Sequence, residues 1–151
     1  MFEGRLLAIY VHGAKGEDLH RVETATVQTA RGLEGDRYCR MDGAGKPDQE
    51  ITLIESEAIE ALARETDIKI DAVKARRNLL TRGVPINHLI GREFKVGEVV
   101  LRGIRLCEPC DHLQSLTVNG IKEGLCHRGG LRAEVLVGGS LRPGDVIRLA
   151  S

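Results

Sequence analysis

Residues 5–12, Arg-Leu-Leu-Ala-Ile-Tyr-Val-His, form an apolar run too short for a typical helix and closed by Gly13 and Gly16, which predicts a buried strand. Residues 22–29 alternate between apolar and polar and predict a second strand. Gly32-Leu33-Glu34-Gly35-Asp36-Arg37 is turn chemistry, and residues 40–50, rich in Gly, Asp, Pro and Lys, predict an exposed, mobile loop. Residues 51–54 are apolar enough for a short strand. Ser56 then stands as an N-cap before a helix that carries Ile59, Leu62 and Ala63 on one face and ends near Thr66. A short helix or turn follows over 71–75, and Leu79-Leu80 sit in a strand ended by Gly83 and Pro85.

The second half reads mainly as β structure. Residues 98–106 alternate imperfectly and lead straight into Cys107-Glu108-Pro109-Cys110. Residues 111–126 read as helix with a break at Asn119-Gly120, while 131–137 and 145–149 read as strands. Turns fall at Gly138-Gly139 and Pro143-Gly144. Short strands of this kind with two or three helical insertions predict a mainly β (α+β) fold, a compact β-barrel forming one domain over residues 1–151. Strand–helix–strand alternation is too rare for a doubly wound sheet.

Charge and composition narrow the function. Lysine plus arginine total 22 and aspartate plus glutamate total 22, so the 151-residue chain has no net charge. That balance argues against a nucleic-acid or membrane-surface protein, which needs a basic face. No apolar run approaches the roughly 18 residues of a membrane span. The start has no basic segment of a signal peptide, so a cytoplasmic protein is expected. Glycine is abundant, at 18 residues, which fits many tight turns. Phe2, Tyr10, Tyr38 and Phe94 are the only aromatics. The core must rest on aliphatic side chains, and stacking platforms for single-stranded nucleic acid are scarce.

Four cysteines, Cys39, Cys107, Cys110 and Cys126, are not read as a disulfide framework in a reducing compartment. Around Cys107-Glu-Pro-Cys110-Asp-His112 three readings stand side by side. Cys107 and Cys110 with His112 and the Cys126-His127 pair could supply zinc ligands. One cysteine at the start of a helix could be a reactive thiolate. Both could be small buried apolar groups. Lys74-Ala-Arg76-Arg77-Asn78 offers guanidinium forks and an amide to a phosphate or carboxylate, or it is a solvated helix end. Asp36-Arg37 is a binding pair or a local turn pair. Arg128-Gly-Gly-Leu-Arg132 and Gly138-Gly-Ser-Leu-Arg142-Pro-Gly-Asp145 could cradle an anion with backbone amides, or make tight turns; neither has the spacing of a nucleotide-binding loop.

Taken in order, Gly-Leu-Glu-Gly-Asp-Arg (32–37), Ile-Glu-Ser-Glu-Ala (54–58), Arg-Arg-Asn-Leu (76–79), Pro-Cys (109–110), Arg-Gly-Gly-Leu-Arg-Ala (128–133) and Leu-Arg-Pro-Gly-Asp-Val-Ile (141–147) resemble the MOSC family, named for the C-terminal domain of molybdenum cofactor sulfurases. The resemblance implies a β-barrel-like domain acting through a cysteine. Its Pro-Cys motif falls on Cys110, as persulfide carrier or molybdenum ligand. Its Arg-x-Asn motif falls on Arg76 and Asn78, and its Ser-Glu-Ala helix start on Ser56. Arg37 and Arg132 join these as candidate cofactor-binding groups. The implied partners are a cysteine desulfurase, which itself carries the pyridoxal phosphate, and a molybdoenzyme or the molybdenum cofactor, held here weakly or transiently. The larger enzymes carry Cys-x-Arg-Cys where this chain has Cys107-Glu108-Pro109-Cys110. If residues 76–78 are extended, Arg76 and Asn78 share one face with Cys110, and Arg77 points away to a structural or exposed position.

Overall fold

A computed structural model of the protein describes residues 2–14, 17–39 and 45–150. In chain order these form β1 (Gly4–Val11), β2 (His20–Val22), β3 (Ala25–Gln28), β4 (Gly32–Leu33), β5 (Ile51–Glu55), α1 (Ser56–Thr66), β6 (Leu79–Arg82), β7 (Glu93–Val96), β8 (Val99–Leu106), α2 (Asp111–Leu116), α3 (Ile121–Gly124), β9 (Leu131–Val137), β10 (Gly139–Leu141) and β11 (Val146–Leu149). Hydrogen bonds run through β11, β7, β8, β9, β5, β6 and β1, and β11 returns to pair with β1. Seven strands thus close into a barrel, which removes every open edge among them. β2 extends outward from β1, and β3 lies between β10 and β4 in a separate small sheet. Within the barrel β5 and β6 run parallel and the other pairs antiparallel. A parallel pair needs a crossover, and α1 lies in the chain between β5 and β6. None of the described helices is long and apolar enough to cross a membrane.

The continuous apolar run of β1 has a structural reason. The register of β1 against β6 shifts between Leu6 and Ala8. One extra residue reverses the alternation, so Leu6, Ile9 and Val11 enter the barrel core while Ala8 and Tyr10 pack with Leu19 outside it. The core is aliphatic around one aromatic, Phe94, which is fully buried. A smaller core joins Leu62 of α1 to Leu113, Ile121 and Leu125, and so anchors the 111–125 segment beside α1.

Several sequence expectations need correction. The strand expected over 22–29 is two strands, because β2 pairs with β1 while β3 pairs with β10 and β4. Gly139, expected in a turn, opens β10. β7 lay in a stretch where the sequence predicted no strand; its Phe94 and Val96 point inward and its Glu93 and Lys95 outward. Ser56 is the first helical residue, Glu55 occupies the cap position, and no side chain caps the helix. The loop expected over 40–50 lies outside the described residues at 40–44. Its end is ordered: Pro47–Gln49 form a 3-10 turn, and the buried Glu50 carboxylate accepts a 2.8 Å hydrogen bond from the Val135 amide.

Candidate functional site

One open pocket, of about 210 Å³, collects most of the residues singled out from the sequence: Arg37, Arg76, Arg77, Asn78, Cys110 and Arg132 all line it. Three junctions in the fold bring them there. The turn after β4 docks on the end of β1, where the Asp36 carboxylate accepts the His12 amide at 2.8 Å and the Arg37 amide donates to the His12 carbonyl at 2.6 Å. A 3-10 turn at Ala72–Ala75 delivers Arg76 and Arg77 just before β6. The third junction joins the 107–110 loop to the start of β9.

Arg76 and Asn78 meet at the pocket, but not by strand alternation. Arg76 caps the 3-10 turn in the left-handed region, at φ 60° and ψ 43°, and β6 begins only at Leu79. Its guanidinium donates to the Glu17 carbonyl at 2.9 Å and meets His12 Nε2 at 3.2 Å. The expectation that Arg77 points the opposite way fails for the same reason. Arg77 is buried in the pocket wall, donating to the Gly129 carbonyl at 2.7 Å and the Cys107 carbonyl at 3.1 Å. Burial lowers its pKa. An arginine stays protonated regardless, so a positive charge is fixed under the cysteine loop.

Asn78 has all its side-chain hydrogen-bonding positions engaged within the fold. Its oxygen accepts from the Thr52 amide at 3.0 Å and the Thr52 hydroxyl at 3.1 Å. Its nitrogen donates to the Tyr10 carbonyl at 3.1 Å and Asp36 Oδ1 at 3.2 Å. With two donors and two acceptor positions occupied, Asn78 joins β1, β5 and the Asp36 turn. Ser56 stands apart from the pocket wall, its hydroxyl donating to Glu57 at 3.2 Å and accepting from Arg82 at 3.3 Å. Arg132 donates through one terminal nitrogen to the Asp48 carbonyl at 3.1 Å, while its buried Nε has no partner among the described residues. Arg37 stacks on Tyr38 at 4.6 Å.

The glycines of Arg128-Gly-Gly-Leu-Arg132 serve packing against the cysteine loop. A side chain on Gly129 would stand 2.7 Å from the Cys107 carbonyl oxygen, and one on Gly130, at φ 123°, would stand 2.4 Å from the Leu53 carbonyl oxygen. Cys107 is buried and its amide donates to the Gly130 carbonyl at 2.7 Å. Cys110 is exposed and occupies the cap position of α2. The four-ligand zinc set, one of the three readings of the cysteines, does not gather among the described residues. Cys126 and His127 instead stand with Glu108, and the His112 side chain lies outside the described residues.

Among the pocket residues that the sequence did not single out as ligand-facing are His12, Thr52, Leu19 and Gln49. Burial, then Arg76 and Arg37, lower the His12 pKa, while burial raises that of Asp36 against the pull of its hydrogen bonds. A neutral His12 can accept the Arg76 hydrogen bond on Nε2. The only sequence signal for His12 was its place at the end of an apolar strand.

A sequence profile of the MOSC domain matches residues 40–148. No curated protein sequence matches significantly. Among solved structures, the YuaD protein of Bacillus subtilis superposes with a TM-score of 0.77 at 15% identity, covering 97% of both chains. YiiM of Geobacillus stearothermophilus gives 0.77 at 17% identity over 98% of this chain and 75% of its own. YiiM of Escherichia coli gives 0.70 at 21% identity over 97% and 70%. At these identities the structures speak for the fold, and the profile, spanning most of the chain, speaks for the family. The chain belongs to the MOSC domain family.

Proposed function

We propose that the chain carries sulfur as a persulfide on Cys110. The observation that supports this reading is an exposed thiol at the wall of a pocket that also holds Arg37, Arg76, Arg77 and Arg132. The attacking form of a cysteine is its thiolate, and the exposed Cys110 sulfur is open to a donor. In the step proposed, the Cys110 thiolate attacks the terminal sulfur of a donor's cysteine persulfide. A new S–S bond forms on Cys110, the donor's S–S bond breaks, and the donor cysteine leaves as a thiolate, with no net oxidation. A cysteine desulfurase suits the donor role, its pyridoxal phosphate remaining on that partner. The molybdenum cofactor or a molybdoenzyme suits the acceptor role.

Incubation with a cysteine desulfurase and cysteine, read by intact mass, tests this. The expected result is a gain of about 32 Da on Cys110, which is the mass of one sulfur delivered by thiolate attack. Cys110→Ser retaining that gain would remove Cys110 from the mechanism.

A second reading, binding of molybdenum cofactor itself, is favoured by the buried Arg132 Nε without a partner among the described residues, since an unmatched donor at an arginine-lined pocket suits an anion. Arg37, Arg76 and Arg132 would then hold the cofactor's phosphate and Cys110 would offer a soft thiolate to the metal. When bound, the group would supply molybdenum redox chemistry. A third arrangement, an anion-binding module with inert cysteines, predicts that alkylating Cys110 leaves anion binding intact.

A further inference from the structure

We propose that Glu108, Cys126 and His127 form a surface site for a divalent metal of the zinc class. A Glu108 carboxylate oxygen, the Cys126 sulfur and an imidazole nitrogen of His127 lie within 4.8 Å of one another, and all three residues are exposed. Thiolate, imidazole and carboxylate together make a borderline-soft donor set suited to Zn²⁺, and three protein ligands leave one position of a tetrahedral ion for water. The site is separate from the Cys110 pocket, whose wall contains none of the three.

The geometry is held from several sides. Glu108 uses both carboxylate oxygens on one partner: Oε1 accepts the His127 amide at 2.7 Å and Oε2 meets His127 Nδ1 at 2.7 Å. The His127 carbonyl accepts from Asn87 Nδ2, also at 2.7 Å. His127 itself sits in the left-handed region at φ 62°, an uncommon conformation for a residue with a side chain. Those contacts fix the imidazole beside Cys126, immediately after α3. A small rearrangement exchanges the Glu108–His127 hydrogen bond for two bonds to a shared ion; the neutral imidazole keeps its N–H on the other ring nitrogen, and the Cys126 thiol releases its proton to solvent as the sulfur binds. Glu108 lies between Cys107 and Cys110, so a bound ion would tie the cysteine loop to the turn that precedes β9.

Titration of the reduced protein with zinc alone, in a non-thiol reductant, tests the site, with affinity read by competition against a chromogenic chelator. One zinc per chain is expected in the wild type and equally in Cys110→Ser. Cys126→Ser and Glu108→Gln are expected to bind at least about tenfold more weakly, the range by which losing a ligand-orienting contact commonly lowers metal affinity. Zinc should also protect Cys126, and not Cys39, from alkylation, a readout that does not depend on any variant folding. Wild-type affinity in Cys126→Ser would overturn the site. So would a loss in Cys110→Ser equal to that in Cys126→Ser, which would move the ion to the arginine-lined pocket. Absence of binding by the wild type would equally reject it. The persulfide reading is tested on Cys110 alone and stands or falls separately.

Discussion

At the scale of single residues, the four cysteines differ by where the fold leaves them. Cys107 is buried and Cys39 half-buried, while Cys110 and Cys126 are exposed. Burial, with Glu34 and Asp36 nearby, raises the Cys39 thiol pKa, so at neutral pH less of it is thiolate. Cys110 has open access and arginines on the same pocket wall. Competitive alkylation at neutral pH followed by peptide mass analysis should therefore label Cys110 before Cys39. Faster labelling of Cys39 would contradict the assignment. His12 gives a residue-scale effect of pH. Folding lowers its pKa, so as pH falls below the ordinary 6.5 the unfolded chain binds the proton first. Stability from the neutral ring is present above that value and is lost as pH falls through the lowered folded value. Asp36, Glu50 and Glu55 have raised values and act in the opposite sense, favouring the fold as they protonate in a more acidic window. Urea midpoints at about pH 7.5 and about pH 5.5 should thus fall more in the wild type than in His12→Gln. Equal losses would show that His12 titrates alike in both states.

At the scale of elements, Arg77 ties together three segments: the 3-10 turn at Ala72–Ala75, the cysteine loop and the glycine turn before β9. Replacing it with methionine keeps much of the packing but leaves the Gly129 and Cys107 carbonyls without their donor. Hydrogen bonds to charged groups contribute about 1.5–3 kcal/mol, so Arg77→Met should lose about 3 kcal/mol in chemical denaturation. It should also open Cys107 to alkylation in the native state; a variant that keeps Cys107 shielded would show that the loop is held by its glycine packing instead. This tie explains what the sequence could and could not reveal. Strands β1, β5, β8, β9 and β11 announce themselves by apolar runs or alternation, and α1 by Leu62 and its neighbours. Of the residues picked out on the family resemblance and beside it, Arg37, Arg76, Asn78, Cys110 and Arg132 line one pocket, and Ser56 does not. The left-handed conformation of Arg76 was not legible, because one backbone angle turned a strand argument into a cap. Arg77 was expected to point away to a structural or exposed position; it is structural but lines the pocket, and its carbonyl partners at Cys107 and Gly129 lie 30 and 52 residues away. β7 is short, and its membership depends on β8 and β11 on either side.

At the scale of the whole molecule, barrel closure decides what the pocket can hold. β1, β5 and β9 are held by hydrogen bonds in the closed barrel, and His12, Thr52 and Arg132 lie on or just beyond them. These strands give one side of the pocket a fixed backbone, and loops and turns carrying Arg37, Arg76 and Cys110 supply the rest of its wall. Its volume of about 210 Å³ falls below the roughly 300–1,000 Å³ of pockets that enclose a drug-sized ligand. A pterin with its phosphate needs that larger enclosure, whereas one persulfide sulfur or a single phosphate does not. Four arginines line the wall with one carboxylate, Asp36, whose pKa is raised by burial. That charge balance favours a small anion over a large, partly apolar group. The chain should therefore purify without molybdenum, as read by elemental analysis of fresh protein. Added phosphate should slow alkylation of Cys110 while leaving Cys39 unaffected. Stoichiometric molybdenum would show that a partner surface or a second copy completes the enclosure, and would exchange the carrier reading for the cofactor-binding one. Phosphate that slows both cysteines equally would mean that the effect is ionic strength and not occupancy of the arginine pocket.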